Sequence, residues 1–126
     1  NVDSVAFMGG LNGDARIKAY IDAQLFFFPS SYGEGMPTVV LEAMAFGLPV
    51  ITRNVGGLCD FFEDGNMGRI TDSHCPTDFA EMIEQFLDDK NLTRQVAIYN
   101  HEYASRHFMA SKVGASIENS LKKYLQ

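Results

Sequence analysis

Two glutamates, Glu34 and Glu42, stand eight residues apart on either side of what reads as the start of a helix. Residues 30–36 form a loop in which Gly33 and Gly35 are free to take backbone angles that other residues avoid. Pro37 suits the first helical position, where its missing N–H is no loss. The helix runs from Thr38 to Phe46, Gly47 terminates it, and Pro49 prevents its continuation. Unpaired N–H groups at such a start attract anions, phosphate above all. The donors here are the backbone N–H groups of Gly35, Met36, Thr38 and Val39. Glu34 then faces whatever extends beyond the phosphate. Glu42 lies further back, about 7–8 Å along the axis at 1.5 Å per residue. It is a lone acid on a helix otherwise apolar at Val39, Val40, Leu41 and Met44. The arrangement suits a nucleotide carrying hydroxylated groups.

Strands alternating with helices position this unit. The apolar run 25–28 is too short for a helix and is closed by Pro29, so it reads as a strand. Before it, residues 4–8 read as a buried strand stopped by Gly9 and Gly10. Asn12 or Asp14 caps a short helix through Ala23, with Ile17, Tyr20 and Ile21 on one face. After it, residues 48–52 and 67–71 read as further strands. Residues 55–62 form a loop leading into a short helix, and Asp64, Gly65 and Asn66 form a turn. A helix over 77–89 carries Phe79, Met82, Ile83, Phe86 and Leu87 at helical spacing. A longer one over 91–107 turns Leu92, Val96, Tyr99 and Tyr103 inward. A last one over 111–125 carries Val113, Ile117, Leu121, Tyr124 and Leu125. Such alternation implies an α/β fold, a parallel sheet joined by right-handed crossovers. Ligands of such sheets bind beyond the carboxyl ends of the strands. The loops 30–36 and 53–57 both open there, bringing Gly56 and Gly57 to the edge that holds Glu34. Arg53 ends a strand at the same edge, where a surface arginine is a commoner explanation than a phosphate ligand.

The segment from Glu34 through Gly35, Met36, Pro37, Thr38, Val39, Val40 and Leu41 to Glu42 resembles the E-x7-E signature of retaining glycosyltransferases of family 4, which have the two-domain GT-B fold. Residues 55–60, Val-Gly-Gly-Leu-Cys-Asp, resemble that family's V-G-G-x-x-E segment, with Asp60 in place of the usual glutamate. Residues 63–68 resemble its D-G-x-x-G turn. The resemblance covers nearly the whole chain and is densest over 29–68. It implies a Rossmann-like parallel sheet with flanking helices. It implies that Glu34 faces the donor sugar and is catalytic in that loose sense. It implies that Glu42 accepts hydrogen bonds from the two ribose hydroxyls, and that Gly35, Met36, Thr38, Val39, Gly56 and Gly57 line the donor site. The family's acceptor domain, and the arginine and lysine that hold its diphosphate, have no counterpart in these residues. Residues 1–126 are therefore expected to be one partial, nucleotide-sugar-binding domain. The parent transfers a sugar from a nucleotide diphosphate sugar with retained configuration and without an essential metal, in polysaccharide, lipopolysaccharide or glycolipid assembly. The isolated chain is expected to be inactive. The alternatives are a nucleotide-sugar-binding module or part of a GT-B nucleotide-sugar epimerase. A signalling receiver would need clustered aspartates after the first strand, where Met8, Gly9 and Gly10 offer none.

Bulk properties narrow the classes. The chain has 126 residues, 46% hydrophobic and 21% charged, enough for one domain with a buried core. A net charge of −6 argues against broad nucleic-acid binding, which needs a basic surface. No apolar run approaches the roughly 20 residues of a membrane span. The expected location is cytoplasmic, with a membrane-peripheral parent. Cys59 and Cys75 match no zinc or redox spacing and read as free thiols. His74, His101 and His107 show no metal spacing. The first residue, Asn1, points to a segment of a longer protein. The open sheet edge and the last helix of such a segment leave the isolated chain open to self-association.

Overall fold

The computed structural model describes residues 4–33 and 35–124. Glu34 and Leu125 lie outside the described residues, as do residues 1–3 and 126. Among those described, three parallel strands form one sheet in the order β1 (Phe26–Phe28), β2 (Val50–Arg53), β3 (Gly68–Thr71). Helix α1 (Gly13–Asp22) precedes β1, and α2 (Thr38–Ala45) links β1 to β2. A 3-10 turn over Gly56–Asp60 follows β2. Helices α3 (Pro76–Asp88), α4 (Lys90–His107) and α5 (Ala110–Tyr124) follow β3. The α/β class, with its Rossmann-like parallel sheet and flanking helices, is the one the sequence implies.

The central strand is buried over its first three residues, as a strand covered on both faces must be. One apolar cluster joins Val40, Ala43 and Met44 of α2 to Leu48, Val50, Leu58, Met67 and Ala104. A second, through Ile51, packs Phe79 and Phe86 of α3 against Val96. Helix α4 thus reaches both clusters. Gly47 ends α2 with φ +75°, and its N–H returns to the Met44 carbonyl at 2.9 Å. A Cβ there would lie 3.1 Å from the Ala97 carbonyl oxygen, so the glycine also sets how closely α2 approaches α4. Gly68 is under a harder constraint. Its φ is +140°, and an added Cβ would meet the Val50 carbonyl oxygen at 1.8 Å.

The residues ahead of these strands are held by one buried amide. Asn100, fully buried on α4, donates from Nδ2 to the carbonyls of Leu48 and Met67, both at 2.8 Å. Its Oδ1 has no partner. The residues resembling the D-G-x-x-G turn do structural work nearby. Asp64 Oδ1 accepts from the Ile70 N–H at 3.0 Å and pairs with Arg69 at 3.3 Å. The Gly65 N–H donates to the Gly68 carbonyl.

Three expectations need correction. Residues 4–8 form no strand: none pairs with β1, β2 or β3, and Phe7 is 94% exposed. An apolar run becomes a strand only where a ladder partner satisfies its backbone, and the described residues provide none. Helix α1 forms, but Ile17 and Ile21 are exposed and only Tyr20 of the three is drawn in. On α4, Leu92, Val96 and Tyr103 pack against the clusters as expected, with Asn100 and Ala104 buried beside them, but Tyr99 lies out towards Glu63, whose carboxylate accepts its hydroxyl at 2.9 Å. On α5, Val113, Ile117 and Leu121 are exposed. Both cysteines are free and exposed.

Replacing Asn100 by Leu leaves the buried Leu48 carbonyl without a donor, while the Met67 carbonyl keeps the Val50 N–H at 3.2 Å. At about 1–3 kcal/mol for such a group, the loss should fall in that range, read as a lower urea midpoint with little change in slope.

Candidate functional site

The loops after β1 and β2 leave the carboxyl edge of the sheet together. The Gly57 N–H donates to the Gly35 carbonyl at 2.7 Å, fastening one loop to the other. A Cβ on Gly57 would meet the Met36 methyl at 2.6 Å, so the glycine admits the methionine side chain. Gly56 turns the chain with φ +55°, which favours glycine. Pro37 is the N-cap of α2 rather than its first helical residue, and no side chain caps the helix. The Pro37 carbonyl accepts from the Val40 N–H at 3.0 Å. The N–H groups of Thr38 and Val39 precede that bond, at the end of a helix where no carbonyl lies a turn below them. Among the described residues, the structure brings Gly35, Met36 and Gly57 together at the entrance to α2, with Gly56 beside them. Thr38 and Val39 follow directly.

Glu42 lies one turn beyond Thr38 and on the same side of α2. Its carboxylate is engaged from α1. The Tyr20 hydroxyl donates to Oε2 at 3.1 Å, and Arg16 Nη1 stands 3.7 Å from Oε1. The Tyr20 ring stacks on Phe46 with centroids 5.1 Å apart and planes 11° from parallel. Burial raises the Tyr20 hydroxyl above the usual tyrosine range, and the hydrogen bond to Glu42 and the carboxylate's charge push it the same way. Tyr20 and Arg16 were invisible as site residues in the sequence. Their i, i+4 spacing shows that they share a face of α1, but nothing local links that face to Glu42, 22 residues on from Tyr20.

Arg53 turns away from this site. Its Nη2 donates to the Asp72 carbonyl at 3.0 Å and lies 2.8 Å from His74 Nε2. There it borders a cavity of about 400 Å³ shared with Phe27, Ser31 and Phe79, on the α3 side. His101 sets its Nδ1 2.7 Å from the Ala45 carbonyl at the end of α2. The described residues hold no group of His, Cys, Asp and Glu that could bind a metal ion. None of the described helices is long and apolar enough to cross a membrane.

A parallel α/β sheet with backbone donors and a glycine turn gathered at its carboxyl edge defines a class of small-ligand-binding domain. Within that class, the chain belongs to the family of glycosyl transferases group 1, whose profile matches residues 1–103. It is 33% identical over 107 residues to a D-inositol 3-phosphate glycosyltransferase of Corynebacterium diphtheriae, a match that covers 85% of this chain and 25% of the relative. Sucrose-phosphate synthase from Thermosynechococcus elongatus superposes with a TM-score of 0.85 at 25% identity, over 98% of this chain and 31% of that one. Anabaena HepE in complex with UDP shares the fold, with a TM-score of 0.80 at 23% identity over 88% of this chain and 30% of that one. The chain therefore spans about a quarter to a third of the length of these proteins.

The Tyr20–Glu42 contact is accessible to titration. Tyrosinate absorbance should show Tyr20 and Tyr99 both ionising above the usual tyrosine range, and Tyr20→Phe should delete one of the two transitions. Glu42→Gln removes the carboxylate and should bring that transition down. Because the folded hydroxyl holds its proton more tightly than the unfolded one, its contribution is intact below about pH 10 and is lost as pH rises through the folded value.

Proposed function

We propose that residues 1–126 are the C-terminal part of the donor-binding domain of a retaining, family 4 glycosyltransferase of GT-B architecture, a cytoplasmic enzyme whose acceptor domain is a separate part of the full-length protein. Family membership supports the glycosyl transfer. The observation that carries the site is the Gly57–Gly35 hydrogen bond, which sets the 55–57 loop against an uncapped helix start with Glu42 one turn along.

In this reading the diphosphate of a nucleotide sugar lies against the N–H groups of Gly35, Met36, Thr38 and Val39, beside Gly56 and Gly57. Donors fixed by the backbone need no reorganisation as charge develops on the leaving diphosphate, and this is the main source of acceleration. No essential metal takes part. Glu42 accepts from the ribose hydroxyls. Glu34 faces the donor sugar. In this reading the two carboxylates serve different parts of the donor, Glu34 the sugar and Glu42 the nucleoside. Residues 1–126 alone are inactive, because the acceptor and the basic side chains that complete the diphosphate site come from elsewhere in the parent.

The test uses the full-length protein. Calorimetry with UDP, GDP and their glucose and mannose conjugates should find one saturable donor. Glu42→Ala should weaken it about tenfold or more, as expected for losing hydrogen bonds to a charged group. Glu34→Ala should cut turnover, and NMR of the product should show the donor's anomeric configuration. Unchanged turnover in Glu34→Ala, or an inverted product, would refute the assignment.

A further inference from the structure

Glu42 is a flexible side chain asked to meet two adjacent hydroxyls at once, and that side chain is 36% exposed. An acid so placed on a helix samples several rotamers unless something holds it. Tyr20 is built to do so. Its ring lies flat on Phe46, the C-cap residue of α2, and in tilted contact with Phe26 of β1 at 6.0 Å. Phe46 is four residues beyond Glu42, so the phenol lies along one side of α2 with its hydroxyl at the carboxylate. Two side-chain torsions fix the hydroxyl once the ring is stacked.

Resting on the reading of Glu42 as the ribose acceptor, we propose that Tyr20 is a positioning residue: its hydroxyl orients the Glu42 carboxylate so that both ribose hydroxyls of the nucleotide donate to it together. An ionised carboxylate has about four acceptor sites. Tyr20 takes one on Oε2, and two remain for the sugar with one to spare. Arg16, at 3.7 Å from Oε1 and itself exposed, is beyond hydrogen-bond reach and leaves Oε1 open. Helix α1 thereby becomes part of the nucleoside site although it offers no ligand of its own. The raised Tyr20 hydroxyl keeps its proton, and so remains a donor, throughout the neutral range.

A structural role and a positioning role differ in what they do to ribose recognition. The experiment measures the affinity of the full-length protein for UDP and GDP and for their 2′,3′-dideoxy counterparts. The proteins compared are the wild type, Tyr20→Phe, Glu42→Ala and the double variant. Tyr20→Phe keeps the stacked ring, and a cooperative melt lowered by no more than the loss of one hydrogen bond verifies the fold. It should weaken the ribonucleotide about 3- to 10-fold, the net worth of about one ordinary hydrogen bond, and leave the dideoxy affinity unchanged. The double variant should discriminate no less than Glu42→Ala alone. Tyr20→Leu, which also removes the stack, gives a second reading through the same affinity ratio. Equal weakening of both nucleotides by Tyr20→Phe, or no change in either while Glu42→Ala abolishes the ribose preference, would overturn the positioning role alone. A ribose preference that survives Glu42→Ala would overturn the reading of Glu42, and the proposal with it. Failure of the wild type to bind any of the nucleotides would do the same.

Discussion

The Asn100 carboxamide is the constraint on which the sheet depends. Leu48 and Met67 lie within two residues of the starts of β2 and β3, and α4 supplies one amide that bridges their carbonyls; without it the Leu48 carbonyl would be buried without a donor and the Met67 carbonyl would keep only the Val50 N–H. A buried carbonyl without a partner costs as much as the net gain of one or more ordinary hydrogen bonds. The same amide sets the depth at which α4 packs, and hence how Val96 and Ala104 reach the two apolar clusters. Gly68 completes this constraint from the strand side. No side chain fits where it passes Val50, so β3 can approach β2 only with glycine at this position.

From that frame the site follows by backbone geometry more than by side chains. The carboxyl ends of β1 and β2 are neighbours because Phe28 pairs with Thr52 in register. Thr52, fully buried, fastens its hydroxyl to the Phe28 carbonyl at 3.0 Å, which holds the two strand ends at one level. Their loops then meet at the Gly57–Gly35 bond. A chain of net charge −6 can present an anion-binding edge in this way, since oriented N–H groups act over a few ångströms whatever the overall charge.

The apolar faces divide in two. Those of α2, α3 and α4 pack into the two clusters, apart from Leu87 of α3 and Tyr99 of α4, which stay exposed. Val5, Phe7 and Met8, together with Ile17 and Ile21 of α1 and the Val113, Ile117 and Leu121 stripe of α5, lie exposed. Periodicity correctly marked the helices at both ends of the chain. Burial of their faces is a separate matter, because an amphipathic pattern states what an element can cover and not what is present to be covered.

Local signals in the sequence determined much of the protein. The run 25–28 and its closing Pro29, the Gly47 stop and the glycine turn at residue 65 placed β1, α2 and the entry to β3 within a residue or two. The alternation of strands and helices set the parallel sheet, and the pattern from residue 34 to residue 68 pointed to the glycosyltransferase family. These features are legible because each rests on backbone chemistry within a few neighbours. Tertiary structure alone decided the rest. It joined Tyr20 to Glu42 and Asn100 to Leu48, turned Arg53 towards His74 rather than towards the helix start, and left residues 4–8 without a ladder. Each of these depends on a partner more than 15 positions away, or on the lack of one among the described residues. Neither spacing nor propensity carries information over that distance.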